Sequence, residues 1–403
     1  MNLDKFRNIN YEHRESCMIC EKSIEAPLIE MPDFPLTEIY VDRKIEEKLG
    51  FVDQSFQFCS ICGHGQIANV IDTELQYGDA TTYHFRTSTS LTGRETTKYF
   101  IDFLRTFIGE ERKRTIVEIG CNDLYLLKSL KNRAIKLIGI DPILKGIENE
   151  VDEDNISAIG DFVENVTLPP DIDVILCKDV LEHVSEPKAF LKKIISKASD
   201  DTLFVFQIPI LETMLEDCRF DQVFHQHLNY FSLRSFMHLL NELGCSILGH
   251  TINYNHWGAA LIAFQKNSRP NISNEDLWHI TQQDIIERYN FFQREMEQTN
   301  KKIVHMQNNR IYGYGAALML PVISYYLKND FSCIDCIIDD DIEKDGLFYL
   351  NLPVQIKHIS RIDDLKDAVL LLTAISSRIN TKRILGKLFN MDLKRIIYPL
   401  KTI

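Results

Sequence analysis

The sequence predicts an α/β protein in three parts, and three observations predict it. Two C-x-x-C pairs stand within the first 65 residues, a strand–turn–helix–strand series runs from Thr115 to Asp141, and a second series opens near Arg310. A chain of 403 residues has room for two or three domains. The expected divisions are 1–75, a cysteine-rich module; 76–270, an α/β domain; and 271–403, a linking helix and a second α/β domain.

Lys and Arg total 45 and Asp and Glu 58, a formal net charge of −13. Binders of phosphate backbones present basic surfaces, so nucleic acid is not the expected partner. No apolar run approaches the roughly 18 residues of a membrane span, so none is expected. Residues Met1 to Arg7 lack an apolar signal core, and the expected location is cytoplasmic. In a reducing compartment the ten cysteines read as metal ligands or small core residues rather than disulfides.

Cys17-Met18-Ile19-Cys20 and Cys59-Ser60-Ile61-Cys62 are the two pairs. Each knuckle aims two thiolates at one point, and two knuckles complete a tetrahedral zinc shell with no open position. The prediction is one structural zinc; two unrelated turns with buried thiols are the alternative. Cys333 and Cys336 have no partner pair and precede Ile337-Ile338, so a strand with core cysteines is expected there.

Thr115 to Gly120 is a β-branched run ending in glycine, Leu124 to Leu130 reads as a helix, and Leu137 to Asp141 as a second strand. An acid about 20 residues after the glycine is placed to hold ribose hydroxyls. The turn Gly120-Cys121-Asn122-Asp123 has no second glycine to admit a pyrophosphate, and Asp123 would repel one. An acidic turn suits a cofactor with a positive centre and no phosphates, which points to S-adenosylmethionine (SAM) over NAD. Gly120, Asn122, Asp123 and Asp141 form the expected cofactor turn. Asp161 is placed near the adenine amino group and Phe162 over its ring. Asp173 to Cys177 reads as a fourth strand, and Lys178 after it is assigned to the same pocket.

These motifs together resemble a known family. Glu118-Ile119-Gly120-Cys121-Asn122-Asp123 is similar to the E-I-G-S-N-D turn of sugar C-methyltransferases, which act on nucleotide-linked keto-deoxysugars. The two C-x-x-C pairs and Gly63-His64-Gly65-Gln66 resemble that family's zinc module. Tyr83 to Ser90 resembles its Y-x-Y-x-S-S-x-S segment, and Val180 to Val184 matches V-L-E-H-V. Phe224-His225-Gln226-His227-Leu228-Asn229-Tyr230-Phe231-Ser232 resembles Y-H-E-H-L-S-Y-F-S. Tyr312 to Ala317 resembles the G-Y-G-A-A that opens a C-terminal Rossmann-like domain, with Ile338 to Asp341 and Pro353 continuing that pattern. The resemblance implies a class I SAM-dependent methyltransferase domain between a zinc module and a second Rossmann-like domain. It also implies a nucleotide sugar as substrate.

The departures fall on the substrate side. Phe224 replaces the motif tyrosine, Gln226 its glutamate, Phe85 the second tyrosine of Y-x-Y, and Gln207 an acid. Leu318-Met319-Leu320-Pro321 lacks the family's lysine, and Leu124 replaces a glycine. Methylation beside a ketone needs a base and a donor to the enolate. His227 keeps its motif position and is the expected base; His225, His183 and Gln226 are the other catalytic candidates, and structural histidines are the alternative. Tyr83 and Phe224 are expected to meet the substrate. Gly313 and Gly315 either cradle a pyrophosphate or permit tight strand–helix packing.

Ile210 to Leu215 and Leu233 to Leu240 read as amphipathic helices, Gly258 to Phe264 as a late strand, and Asn274 to Gln307 as a long charged helix. Three functions remain open on the sequence. They are methyl transfer to a nucleotide-linked sugar at carbon, transfer to a hydroxyl or other acceptor, and binding without catalysis.

Overall fold

The computed structural model describes residues 3–24, 26–72, 75, 86–151, 154–267, 277–363, 365, 367–375, 378–391, 393 and 395–399. Near the N-terminus, β1 (Tyr11–His13) pairs antiparallel with β6 (Asn69–Ile71). Between them come β2 (Ile29–Pro35), β3 (Tyr40–Val41), β4 (Phe51–Cys59) and β5 (His64–Ile67). Cys59 faces His64 across the β4–β5 hairpin, so its turn is the second cysteine knuckle. Gly63 closes that turn at φ 82, a conformation that glycine adopts without strain.

The middle of the chain is a doubly wound sheet. α1 (Leu91–Ile108) begins at Ser90, whose side chain accepts the Gly93 N–H, and it buries Phe100, Leu104 and Ile108 along one stripe. There follow β7 (Lys113–Ile119), α2 (Tyr125–Ser129), β8 (Ala134–Ile140), β9 (Ile156–Ile159), β10 (Val174–Lys178), α3 (Pro187–Lys197), β11 (Leu203–Pro209) and α4 (Leu211–Glu216). Next come β12 (Asn229–Tyr230), α5 (Leu233–Glu242), β13 (Cys245–Asn253) and β14 (Ala259–Lys266). The strand order is β13-β14-β11-β10-β7-β8-β9, with β14 antiparallel to both neighbours and the inner strands parallel. The inner strands are nearly continuous apolar runs because both faces are covered. Cores on the two faces hold Ile119, Phe204 and Phe236 on one side and Ile116, Leu126 and Leu137 on the other. The order reverses between β7 and β10, and the crevice at that switch point is where such sheets take ligands.

A helix with a capping box, α6 (Gln282–His305), leads to the last sheet. The C-terminal segment contains β15 (Ile311–Tyr314), α7 (Leu320–Leu327), β16 (Cys336–Asp339), β17 (Phe348–Tyr349), β18 (Ile356–His358), β19 (Val369–Leu372), α8 (Arg378–Phe389) and β20 (Arg395–Ile397) in chain order. Its five parallel strands run β18-β16-β15-β19-β20, and β17 stands apart from them.

Several elements differ from expectation for local reasons. α2 is shorter because Leu124 is left-handed at φ 65 and the helix can start only after it. α4 is not amphipathic: Leu211 to Leu215 are all buried. α6 starts at the Thr281 cap, well after Asn274, which lies outside the described residues. Cys336 opens β16 and is buried, whereas Cys333 sits before the strand. The three segments also interlock. β12 joins the sheet of β5, β4 and β2, β17 pairs with β3, and one core unites Phe56, Phe224, Phe292 and Ile337. Arg14 donates to the Leu228 carbonyl at 3.1 Å and to that of Ser185 at 2.6 Å.

Candidate active site

The turn after β7 runs through Gly120 (φ 72), Cys121, Asn122 (φ 48) and Asp123. A Cβ on Gly120 would lie 2.2 Å from Val180 Cγ2, so only glycine lets the segment after β10 approach. Asp141, just past β8, anchors the turn: Oδ2 accepts the Asn122 N–H at 2.7 Å and Oδ1 the Ile143 N–H at 3.0 Å. Burial raises its pKa, and these two amides act against that. The residues before α1 lie across the turn. Thr87 N–H donates to Asn122 Oδ1 at 3.1 Å, and Ser88 N–H to Asp123 Oδ2 at 2.8 Å.

Two carboxyl oxygens in this region, Glu118 Oε2 and Asp123 Oδ1, are buried with no hydrogen-bond partner among the described residues. Burial holds the Glu118 carboxyl well above its ordinary value. Oxygens left without donors fit a ligand that brings N–H groups or positive charge, as SAM does. Phe162 is 52% exposed, open to a planar ring. Asp161 Oδ1 accepts from Asn165 Nδ2 at 2.8 Å and from the Phe162 N–H at 2.7 Å, which hold its pKa low. Lys178 pairs with Asp179 at 2.7 Å.

Beyond the turn lies a cleft floored by charged and imidazole groups. Asp179 follows β10 at φ 57. Its carboxylate takes Lys178 Nζ, His256 Nε2 at 3.2 Å and Gln207 Nε2 at 2.8 and 3.0 Å. Burial alone would raise its pKa; Lys178, His256 and Gln207 together hold it low. The side chains of Asp179, His183 and His256 keep 26%, 29% and 20% exposure, so the cleft admits water. His183 Nδ1–H donates to the Gln226 carbonyl at 2.8 Å, which puts the lone pair of its neutral ring on Nε2. The His183 and His227 rings meet at 4.9 Å, and with Glu182 they bring three ligand-type atoms within 4.8 Å of one another. Burial, reinforced by His183, drives His227 well below the ordinary imidazole value despite Asp179. Its ring is therefore neutral at neutral pH and has a lone pair to offer.

Five residues singled out from sequence sit as follows. His225 faces away from His227: Nε2–H donates to Phe34 O at 3.2 Å and Nδ1 accepts from Gln54 Nε2 at 3.2 Å. Both of its ring nitrogens are taken by these partners, so His225 serves packing rather than the cleft. Phe224 is 1% exposed and stacks on His227 at 4.2 Å; it backs the imidazole rather than meeting a substrate. Gln226 is buried and its side chain turns to Glu38 of the N-terminal module. Gly313 and Gly315 serve packing, since a Cβ would lie 2.3 Å from Ile337 Cδ1 and 2.2 Å from Ala374 Cβ respectively. The Ala316 N–H that follows is already taken by Asp339 Oδ2. Tyr83 lies outside the described residues.

Four cysteines, Cys17, Cys20, Cys59 and Cys62, bring their sulfurs within 4.8 Å of one another, with Cys17–Cys62 and Cys20–Cys59 each at 3.5 Å. A tetrahedral four-thiolate centre needs sulfurs at about this spacing. Sequence reasoning missed Glu118, Asp179 and His256. The first two end adjacent strands at the switch point, a signal available from strand order alone. Nothing local marks His256; only the β13–β14 connection carries it to Asp179.

Five parallel strands, a reversed β14, a glycine turn after the first strand and an acid after the second define the class I SAM-dependent methyltransferase Rossmann-like fold. This is an enzyme fold, and residues 93–250 match the family model described as a methyltransferase domain. Among curated proteins, the chain is similar to the C-methyltransferase NovU of Streptomyces niveus, 25% identical over 216 residues, 51% of this chain and 49% of that one. It is also similar to the tRNA U34 carboxymethyltransferase of Campylobacter lari, 27% identical over 155 residues, 35% of this chain and 52% of that one. The chain thus spans about half the length of the curated relatives it matches. Solved structures similar to it include a SAM-dependent methyltransferase from Leishmania major (TM-score 0.38, 15% identity, 48% of this chain and 85% of that one). The N-methyltransferase NodS of Bradyrhizobium japonicum with S-adenosylhomocysteine gives TM-score 0.37 at 15% identity, over 49% of this chain and 96% of that one.

Proposed function

We propose that the protein is a SAM-dependent methyltransferase that methylates a nucleotide-linked deoxy or keto sugar at carbon, with His227 as the base. The observation that carries this reading is the neutral His183–His227 pair in a cleft beside the cofactor turn. When bound, SAM supplies an electrophilic methyl group. Gly120, Asn122, Asp123 and Asp141 would hold it, with Asp161, Phe162 and Lys178 toward the far side of the pocket. His227 takes the proton from the carbon beside the acceptor's ketone. The carbon left with that electron pair would be the acceptor of the methyl group. His183, fixed through Nδ1 on the Gln226 carbonyl, stands at the edge of His227 and presents Nε2 to the same space.

Similarity to NovU supports carbon as the acceptor. A second reading, transfer to a hydroxyl or other acceptor, is favoured by Phe224 and Gln226, which stand where the resembled family has a tyrosine and a glutamate. The four-cysteine cluster would hold one structural Zn2+, and the three-part division at 75 and 270 describes how module, catalytic domain and C-terminal domain are strung. The partner is a small molecule, with neither nucleic acid nor membrane involved, and the expected setting is the cytoplasm. No helix of the described residues is long and apolar enough to cross a membrane. Incubating a panel of nucleotide sugars with protein and SAM, read by mass spectrometry, tests the proposal. A gain of one methyl is expected, NMR then separates carbon from oxygen, and no gain on any acceptor would leave only the binding reading.

A further inference from the structure

A cavity of about 360 Å3 lies where α4, the start of α5 and the end of β13 meet Leu277 and Trp278. The methyl-transfer reading uses none of its residues. Its walls carry Glu212 and Glu216 from α4, His250 from β13, and Tyr254, with no Lys or Arg among the described lining residues. Glu212 is 7% exposed. Its Oε1 accepts the Leu233 N–H at 2.8 Å, while Oε2 is buried and has no hydrogen-bond partner. Thr213 cannot supply the missing donor, because its hydroxyl is directed to the carbonyls of Ile210 and Gly258. Ile210, Leu233, Ile252 and Trp278 make the rest of the wall apolar.

We propose that this cavity binds a small organic cation, an ammonium group on an apolar or aromatic body, anchored by Glu212 Oε2. An ammonium has donors and no acceptor, the complement of a carboxylate oxygen without a donor. The Trp278 and Tyr254 rings add faces that attract positive charge. A carboxylate or phosphate ligand would instead meet two acidic side chains.

The pH dependence follows from the facing groups. Burial, helped by the charge on Glu216, pushes Glu212 up to about 7. Burial lowers the pKa of His250, so it adds no positive charge near neutrality, and Glu216 and Tyr254 are the other ionisable side chains lining the cavity. The anionic anchor therefore fills in as pH rises through about 7, and cation binding strengthens with it.

The test is calorimetry on the full chain with S-adenosylhomocysteine in excess, so that the probe cannot act through the cofactor site. The probe is 2-phenylethylammonium, compared with uncharged 2-phenylethanol. At pH 8 the ammonium should bind once per chain, at least roughly tenfold tighter than the alcohol. The preference should shrink at pH 6 and vanish in Glu212→Gln. Equal affinity of the two probes, no binding of either, or an undiminished preference in Glu212→Gln overturns the proposal. Should that variant fail to fold, the wild-type preference and its pH dependence decide the matter, because a site without an ionising carboxylate shows neither.

Discussion

The imidazoles of His183 and His227 stand edge to face with ring centroids 4.9 Å apart. One belongs to the short helical turn after β10 and the other to the loop before β12, so the pair exists only once the chain has folded. The Leu228 N–H donates to Glu182 O at 2.8 Å and ties the two segments together.

Loss of His227 is therefore expected to separate chemistry from binding. His227→Ala should lower turnover by roughly 10²–10⁴-fold, the usual worth of a positioned base. SAM affinity by calorimetry should stay nearly unchanged. The acidic limb of the wild-type pH–rate profile should fall well below the ordinary histidine value, and the variant should lose it. His225→Ala should instead cost stability by about 1–3 kcal/mol, because it strands buried hydrogen-bond partners. Near-normal turnover in His227→Ala together with a collapse in His225→Ala would reverse the assignment.

Asp141 does two jobs in the cofactor turn, since it is placed for the ribose and already holds the Asn122 amide. Asp141→Ala should weaken SAM binding by about 1–3 kcal/mol. Asp141→Asn can still accept one amide and should lose less. Unchanged affinity in both variants by calorimetry would remove Asp141 from the site.

The cysteine cluster should hold close to one zinc per chain by elemental analysis of freshly purified protein. Cys59→Ser should lose the metal and also lower the unfolding midpoint, since structural zinc binding is coupled to folding. Because β12 is hydrogen-bonded into the module's sheet, the loss should extend to the loop that carries His227. Metal-free protein with an unchanged midpoint would contradict both statements.

Stability between pH 7 and 5 should hide two opposed slopes. Burial lowers His225 to about 4. Below its unfolded value the unfolded chain binds the proton more tightly, so this group removes stability as pH falls from about 6.5 toward 4. Glu212, pushed up to about 7, does the reverse: its neutral form is favoured in the fold, and stability is lost as pH rises from about 4.5 to 7. Each slope amounts to about 2 kcal/mol between pH 7 and 5. Relative to wild type, His225→Gln should gain stability on acidification and Glu212→Gln should lose it. Urea unfolding at the two pH values reads this directly, and parallel changes in the two variants would refute the account.

The sequence by itself determined the elements whose signals are local. β-branched runs, the Gly120 turn and the spacing of Asp141 announce a doubly wound cofactor domain, and the knuckles at Cys17–Cys20 and Cys59–Cys62 announce their own convergence. These are readable because the signal and the structure span the same few residues. Tertiary structure alone decided which side of a loop each residue serves. His225 and His227 are indistinguishable by residue type and two residues apart in one motif, yet one is hydrogen-bonded to Phe34 and Gln54 and the other faces His183. For Gly313 and Gly315 the choice between a pyrophosphate cradle and tight packing turns on Ile337 and Ala374, which fill the space beside them. The partnership of His256 with Asp179, and of Gln226 with Glu38, joins residues far apart along the chain. Long-range contacts are set by how whole elements pack, and no short stretch of sequence contains that information.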